Sequence, residues 1–548
     1  MTGARTTWIT AAGIGIVLVA YACLVWDHRW ISDDGLIVVR SVREILAGNG
    51  PVYSPFERAE PTTSTLWLWL LAAVSAISPA DIARTAVALG GVLAIAGIAL
   101  VMDAARRSYH EAGHRGAVLP LGALAFVAIF PSWDFATSGL ESGLALCWLG
   151  ALWWLLVALR ADARVVFAFA FVAGLGPLVR PDFTLVTAVF LVAGWRVVRP
   201  SRWQTLRLAC LAFALPAAYE VFRAGYYGVL VPLPALAKSA SGSAWFRGGR
   251  YLLHFVEPLL LYIPLGIGIA LVAVERRIIA TRRRAVPVVA GVLLTAFVVR
   301  VGGDFMFGRM WLPPPLLLLL APIAVVPATR IAAAATALMF AWAVVVGVRA
   351  YTAAHVGGDE RMQYVRRTRV ENPTSAADHV AAEPVVAAQV ATALRDGQHL
   401  VFSDGIPVVP MSGAHDAPMV IATGYLGLAG ALAPLDGIVV DLFGLANPIG
   451  ARITRTQRNR VGHEKRLPLA WLVADVVDPA ATTNVPADAI AAARHAMTCG
   501  ALAELLASVR EPMSVSRFWA NLVGSVGRTR LEIPSDPIEA EREFCGPR

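Results

Sequence analysis

Long apolar runs separated by short polar connections fill residues 8–350, and the pattern changes after that point. Runs at 8–26, 62–78, 81–102, 117–132, 139–159, 164–180, 183–198, 205–223, 251–273, 285–301, 311–327 and 330–350 each read as a candidate membrane helix. A span needs about 20 apolar residues, so the shorter runs must borrow from their flanks. Between the first two runs lies a different periodicity. Leu36, Ile37, Val39, Val42, Ile45 and Leu46 alternate at helical spacing with Arg40, Arg43 and Glu44. That spacing predicts an amphipathic helix over 35–48 lying in the plane of the membrane interface. Beyond residue 350, apolar stretches at 401–410, 419–423 and 437–442 read as strands, and 378–395 and 486–508 as helices. The pattern therefore predicts a polytopic α-helical membrane domain over 1–350 and a soluble α/β domain over 351–548.

Composition sharpens this picture. The 548 residues are 57% hydrophobic and only 16% charged, whereas soluble domains carry about 25% charged residues. The first run follows Arg5 and ends in WDHRW without a small-residue cleavage site, so it reads as an uncleaved helix rather than a signal peptide. The net charge of +9 gathers in loops at 103–116 (Arg106, Arg107, Arg115), 160–164 (Arg160, Arg164), 196–207 (Arg196, Arg199, Arg202, Arg207) and 275–284. Basic loops of a membrane protein face the cytoplasm, so this charge reads as topology before nucleic-acid binding. Walking the chain on that rule puts the C-terminal domain outside the cytoplasm. It also forces 62–78, with Trp67 and Trp69, to be re-entrant or interfacial. About eleven crossings result, against a rival of twelve with one violation of the charge rule.

The same walk places WISDDG (30–35), DFATSGLES (134–142), RPD (180–182), YYGVLVPLPALAKSA (226–240) and GGDFMFGR (302–309) on the external side. Ionisable residues at membrane depth pair with one another or line a cavity, so these motifs predict an external polar cavity. Asp33 and Asp34 stand where an N-cap of the amphipathic helix belongs. Capping explains one carboxylate; a cap plus a reacting group explains two, with Asp33 the favoured reacting group. Arg180, Lys238 and Arg309 are candidate ligands for a lipid phosphate, with a local Arg180–Asp182 turn and a snorkelling Lys238 as the bland readings. Glu141, Asp182 and Asp304 are expected to line the cavity, N-capping competing at Glu141. Loops 441–453 and 462–468 offer Asn447, His463 and Lys465 to sugar hydroxyls, unless they are ordinary turns. Cys23, Cys147 and Cys210 lie in apolar runs; Cys499 and Cys545 stand together in the tail and suggest one disulfide there, against two free thiols. No Walker A, GxGxxG, HExxH or Cys/His metal spacing is present. An external cavity then implies a donor that arrives within the membrane, and a polyprenyl-phosphate sugar is the natural one.

Together these features resemble the GT-C glycosyltransferases. More closely, WISDDGLIVVRSVREILAGNGPV, TSTLW, DFATSGLESGLAL, LVRPDF, GYYGVLVPLPALAK, GGDFMFGR, the NPIGARI and GHEKRLP loops and the two late cysteines resemble the terminal β-(1→2)-arabinofuranosyltransferase family, which finishes arabinan in arabinogalactan and lipoarabinomannan. The resemblance implies decaprenyl-phosphoryl arabinofuranose as donor, an arabinan end as acceptor, a plasma-membrane location and Asp33–Asp34 as the catalytic pair. It also implies a β-linked donor and product, hence retention of configuration. No cofactor is called for, although a divalent cation bridging the phosphate and an Asp is compatible with this chemistry. Where relatives carry a His after GGDFM, this chain has Phe307, so any role of that His does not carry over. The rival readings are a mannosyl or other pentosyl transferase of the same superfamily, and a lipid-linked sugar transporter. The transporter predicts inverted repeats, which the sequence does not show.

Overall fold

The computed structural model describes residues 2–160, 162–238, 242–275, 282–309, 312–352, 359–455 and 462–546. Helices Thr6–Asp27, Ile82–Glu111, Pro181–Val198, Arg202–Tyr226, Arg283–Val301 and Arg330–Arg349 are long and apolar enough to cross a membrane. Phe130–Thr137 and Ser142–Ala158, bent by 112° at their junction, make a seventh if counted as one span. Several other expected spans are broken into shorter pieces, and proline explains most of the breaks. The run 117–132 is interrupted at Pro120 and Pro131. The run 251–273 divides into Trp245–Val256 and Tyr262–Val274 around Pro258, and 311–327 carries Pro313, Pro314, Pro315 and Pro322.

Helices Ile82–Glu111 and Ser142–Ala158 are held at backbone contact by paired glycines. A Cβ on Gly143 would lie 2.0 Å from the Gly90 carbonyl oxygen, and one on Gly150 would lie 2.5 Å from that of Gly97. Lipid supplies no hydrophobic drive between helices, so close backbone packing of this kind does much of the holding.

The helical part has two chemically distinct ends. At one, Arg283 and Arg284 donate to the carbonyls of Val157 (3.0 Å) and Ser108 (2.5 Å), and Arg160 pairs with Glu111 at 2.8 Å. At the other, the Trp30 indole donates to the Asp134 carbonyl (2.8 Å) and the Trp67 indole to that of Gly139 (2.9 Å). Helix Thr65–Ile77 begins beside Gly139, and the next helix begins with Ile82 packed near Ile31 and Leu36. Both helices thus start at this second end. Thirteen residues rise only about 20 Å, and only residues 78–81 separate this helix from the next, so Thr65–Ile77 stays associated with that end, as a re-entrant or interfacial segment would.

Residues after 376 build a four-stranded sheet in the order Val409–Pro410, Leu400–Ser403, Met419–Thr423, Ile438–Asp441, with the last three strands parallel and the first antiparallel. Its central strands read as continuous apolar runs because both faces are covered. Val401, Val420 and Val440 face helices through Leu472 and Leu505. Phe402, Ile421 and Val439 face the helix Leu426–Leu432, together with Ile37 and Tyr53 from the N-terminal part. Cys499 and Cys545 are joined, Sγ–Sγ 2.07 Å, and tie the two helices that begin at 500 and end at 545.

This docking changes the reading of the amphipathic segment. It forms a helix, Asp33–Leu46, but its polar side does not face headgroups. Residues Gly35–Val42 are all buried, with Arg40 only 1% exposed. The Arg40 guanidinium donates to the carbonyls of Ala433 (2.8 Å), Pro434 (2.9 Å) and Leu435 (3.1 Å) and pairs with Glu44 at 2.8 Å. It therefore satisfies the carbonyls of the turn that follows Leu426–Leu432 and, standing at that helix's C-terminal end, complements its dipole.

Candidate active site

Ser32, not either aspartate, caps the helix Asp33–Leu46: its hydroxyl accepts from the Gly35 N–H at 2.9 Å. Both carboxylates of the first turn are thereby released for other partners. Consecutive helical residues point about 100° apart, and the two side chains go to different places. Asp33 turns toward the C-terminal part, where its carboxylate accepts from the N–H groups of Gly427 (3.1 Å) and Leu428 (2.8 Å). Burial, with the neighbouring Asp34 charge adding to it, pushes the Asp33 carboxyl up to about 7 against the pull of those two donors. Asp34 turns instead into a cavity of about 260 Å³. Of the two carboxylates, Asp34 lines the cavity, and Asp33, expected to be the reacting group, is engaged with the C-terminal part.

The Arg309 guanidinium bridges two carboxylates, with Nη1 2.9 Å from Asp34 and Nε 2.9 Å from Asp304. Burial alone would raise the Asp34 carboxyl, but Arg309, Lys238 and His463 outweigh it and hold the group below the ordinary carboxylate range. Asp34 is therefore an ionised carboxylate, a third exposed, on the cavity wall. A second guanidinium repeats the arrangement: Arg180 contacts Glu141 at 2.8 Å and Asp182 at 3.0 Å, and all three line the cavity. The expected Arg180–Asp182 turn pair is present, with Glu141 as a further partner. Lys238 stands exposed on the same wall, and among the described residues no carboxylate lies within ion-pair distance of it. Donor atoms of the cavity's carboxylates do not converge on a common point among the described residues.

The residues expected to meet an acceptor are placed unevenly. His463 lies edge-on to Phe305 and Phe443, ring centroids 5.0 and 4.7 Å away, and is near enough to Asp34 to influence its charge. The Asn447 side-chain oxygen accepts from Gly450 N–H at 2.7 Å, closing its own turn. The Lys465 ammonium donates to the carbonyls of Leu236 and Ala451, both at 2.9 Å, and serves as a strut between the two parts of the chain. Leu445, from the same loop as Asn447, does reach the cavity wall. Phe307 is buried in an apolar cluster, stacked on Phe130 at 5.4 Å and packed on Phe255 at 5.3 Å.

Sequence reasoning missed Glu360. It opens the helix Glu360–Thr368, whose Tyr364 packs on Trp30 and His379 with ring centroids 6.1 and 4.9 Å apart. Oε2 of Glu360 is buried and has no hydrogen-bond partner. Burial and the Asp34 charge push its carboxyl well above the ordinary range, with Arg309 pulling the other way. Its stretch, DERMQYVRRTR, carries only the signal of a charged linker.

The tail and the Asp33–Asp34 turn come into backbone contact at Gly427. A Cβ on Gly427 would lie 1.9 Å from the Asp33 carbonyl oxygen. Gly427→Ala is expected to push the two parts apart and destabilise the docked form by about 1–3 kcal/mol. Limited proteolysis of the full chain checks this: the variant should be cut faster between its two parts, with the sheet itself still protected.

Residues 383–543 match the AftB family C-terminal domain. The chain is 35% identical to the terminal β-(1→2)-arabinofuranosyltransferase of Mycobacterium tuberculosis, over 98% of this chain and 97% of that protein. It is 33% identical to the protein of the same name from Corynebacterium glutamicum, over 95% of this chain and 85% of that protein. Among solved structures, the crystal structure of ArnT from Cupriavidus metallidurans bound to undecaprenyl phosphate aligns with a TM-score of 0.38 and 15% identity, covering 97% of this chain and 90% of that one.

Proposed function

Because the chain belongs to the family of terminal β-(1→2)-arabinofuranosyltransferases, we propose that it moves an arabinofuranosyl residue from decaprenyl-phosphoryl arabinofuranose to the non-reducing end of cell-wall arabinan, forming a terminal β-(1→2) linkage. The observation that carries this reading is an ionised Asp34 on the wall of a polar cavity that also holds Arg180, Lys238 and Arg309. A lipid phosphate is a sufficient leaving group, so the enzyme needs little acid catalysis. The bond from the anomeric carbon to the phosphate oxygen breaks, and its electron pair leaves with the polyprenyl phosphate. The acceptor 2-hydroxyl bonds to the anomeric carbon and gives up its proton. Retention calls for one carboxylate at that carbon, as nucleophile or as proton acceptor for same-face attack, and we assign Asp34 to it. Lys238, with no carboxylate partner among the described residues, is assigned to the donor phosphate, and Arg180 and Arg309 to the flanking positive field.

The cavity is placed outside the cytoplasm on the charge rule. Arg160, Arg283 and Arg284 gather at one end of the helices, and the cavity lies at the other. The eleven-crossing topology is retained in this reading, supported by the short helix Thr65–Ile77, which starts at the same end as the helix that follows it four residues later. Residues 1–350 are assigned to the lipid donor. Residues 351–548 are assigned to the acceptor, with His463 and the loop through Leu445 nearest the cavity.

A direct test uses the purified full chain in liposomes with a synthetic lipid-linked arabinofuranose and an arabinan oligosaccharide. A new terminal β-(1→2) arabinofuranosyl residue is expected by linkage analysis; preferential transfer from a mannosyl lipid would overturn the assignment. In the same assay, Lys238→Ala should raise KM for the lipid donor by roughly tenfold, the size of one lost charge-assisted contact. KM for the oligosaccharide should not move.

A further inference from the structure

The helix Val515–Arg530 is amphipathic in the wrong sense for a soluble domain. Its inward face is polar: Asn521, Ser525 and Arg528 are buried, with Asn521 donating to the Ser508 carbonyl at 2.9 Å and Arg528 to that of Gly228 at 3.0 Å. Its outward face is apolar. Val515, Trp519, Val523 and Val526 fall on one side of a helical wheel and are 78%, 58%, 80% and 47% exposed. A globular surface does not ordinarily hide Asn, Ser and Arg while showing a stripe of Val and Trp.

The neighbours of this helix say what covers the stripe. The Phe518 ring packs against Gly225, near the end of the membrane-length helix Arg202–Tyr226, where a Cβ would come within 2.2 Å of it. Thr529 accepts from the Leu230 N–H at 2.9 Å, just past that helix. One turn before Gly225, and on the same face, Val221 is 51% exposed, and exposed Ala218 and Ala214 continue the apolar surface. The stripe is thus continuous with a surface whose partner is lipid. Exposed Arg530, at the end of the stripe, is suited to reach a headgroup phosphate while its stem stays apolar.

We infer that Val515–Arg530 lies in the membrane interface at the cavity-bearing end, its Val515–Trp519–Val523–Val526 face among lipid chains, so that the C-terminal part is anchored to the bilayer surface. The aromatic–aliphatic face with a terminal arginine is the chemistry of an interfacial helix. This anchor is independent of which sugar is transferred.

Spin labels read it directly. The full chain, with Cys23, Cys147 and Cys210 replaced by serine and the Cys499–Cys545 bond kept, takes single cysteines at 515, 516, 519, 520, 523 and 526, and at exposed Asp404 as the water reference. In phosphatidylglycerol-containing nanodiscs, the ratio of oxygen to nickel-chelate collisions should be several-fold higher at 515, 519, 523 and 526 than at 404. It should dip at 520, giving a helical period. Labels at 519 and 523 as open to the chelate as 404 would overturn the inference. So would dipolar broadening between labelled chains without a rise in oxygen access, which would assign the stripe to a second copy. Every site is exposed, so folding is not at stake, and no transfer is measured.

Discussion

Asp34→Asn is expected to lower transfer by roughly 10³-fold, the usual size of losing a positioned carboxylate that handles a proton or meets the reacting carbon. The amide keeps the shape and can still face Arg309, so expression, thermal stability and binding of the lipid donor should stay close to those of the parent chain. The measurement is initial rate with the lipid-linked arabinofuranose, beside donor binding in the same preparation. Asp33→Asn is the informative contrast. Asp33 accepts two backbone N–H groups of the C-terminal part, and an amide can accept only one of them well. That variant should lose stability and tail docking more than intrinsic chemistry. If Asp33→Asn lost transfer as completely as Asp34→Asn while staying folded and docked, the assignment of roles would be reversed.

Arg309→Met is expected to be the most damaging single change away from Asp34. It leaves Asp34 and Asp304 facing each other without their shared cation, and removing one member of such a buried set costs on the order of 3–5 kcal/mol. The pH profile separates this from simple unfolding. In the parent chain Arg309 helps hold Asp34 below the ordinary carboxylate range, so Asp34 is ionised at neutral and mildly acidic pH. Activity should fall only as the pH drops through that depressed value. Without Arg309, burial is no longer offset, the Asp34 pKa rises, and the acid limb of kcat/KM should move up by at least about one pH unit. Stability follows the same sign: the contribution of a depressed carboxylate is present above its unfolded pKa and lost as pH falls through the folded value. Arg309→Lys, which keeps charge but loses the two-pronged geometry, should fall between, with a smaller shift of the acid limb.

Much of the molecule was legible because its signals are local. Apolar runs, Arg-rich loops and the helical spacing of Leu36 to Leu46 each reflect forces acting within a few residues. The grouping of Asp34, Glu141, Arg180, Asp182, Lys238, Asp304 and Arg309 around one cavity follows from sidedness alone, since motifs left at one end of a helical bundle have few other places to go. What the sequence concealed depends on contacts between distant segments. Nothing in SDDG says that Ser32 takes the cap, because Ser and Asp are both good caps. The carbonyls that Arg40 meets lie nearly 400 positions away, so the helix looked built for headgroups. Glu360 sits in a stretch as charged as any linker. Asn447 and Lys465 are polar residues in glycine-rich loops, and only the fold tells a turn or a strut from a sugar contact. The breaks at proline were not visible as breaks, since hydropathy averages over them.

The helix Asp33–Leu46 grips the short helix Leu426–Leu432 at both ends, Asp33 on its first N–H groups and Arg40 on the carbonyls just past its last turn. For protein engineering, this makes the junction a lock with two matched keys. A chimera that grafts the C-terminal part of another transferase onto this membrane part must bring a helix of the same length and a small residue where Gly427 stands. Otherwise it strands an acid and a base in the interior. Deleting the C-terminal part altogether would remove the partners of both side chains and uncover Ile37 and Tyr53. A trimmed membrane part is therefore expected to expose apolar surface at this junction, and engineering of the C-terminal part is better confined to loops that leave residues 426–435 untouched.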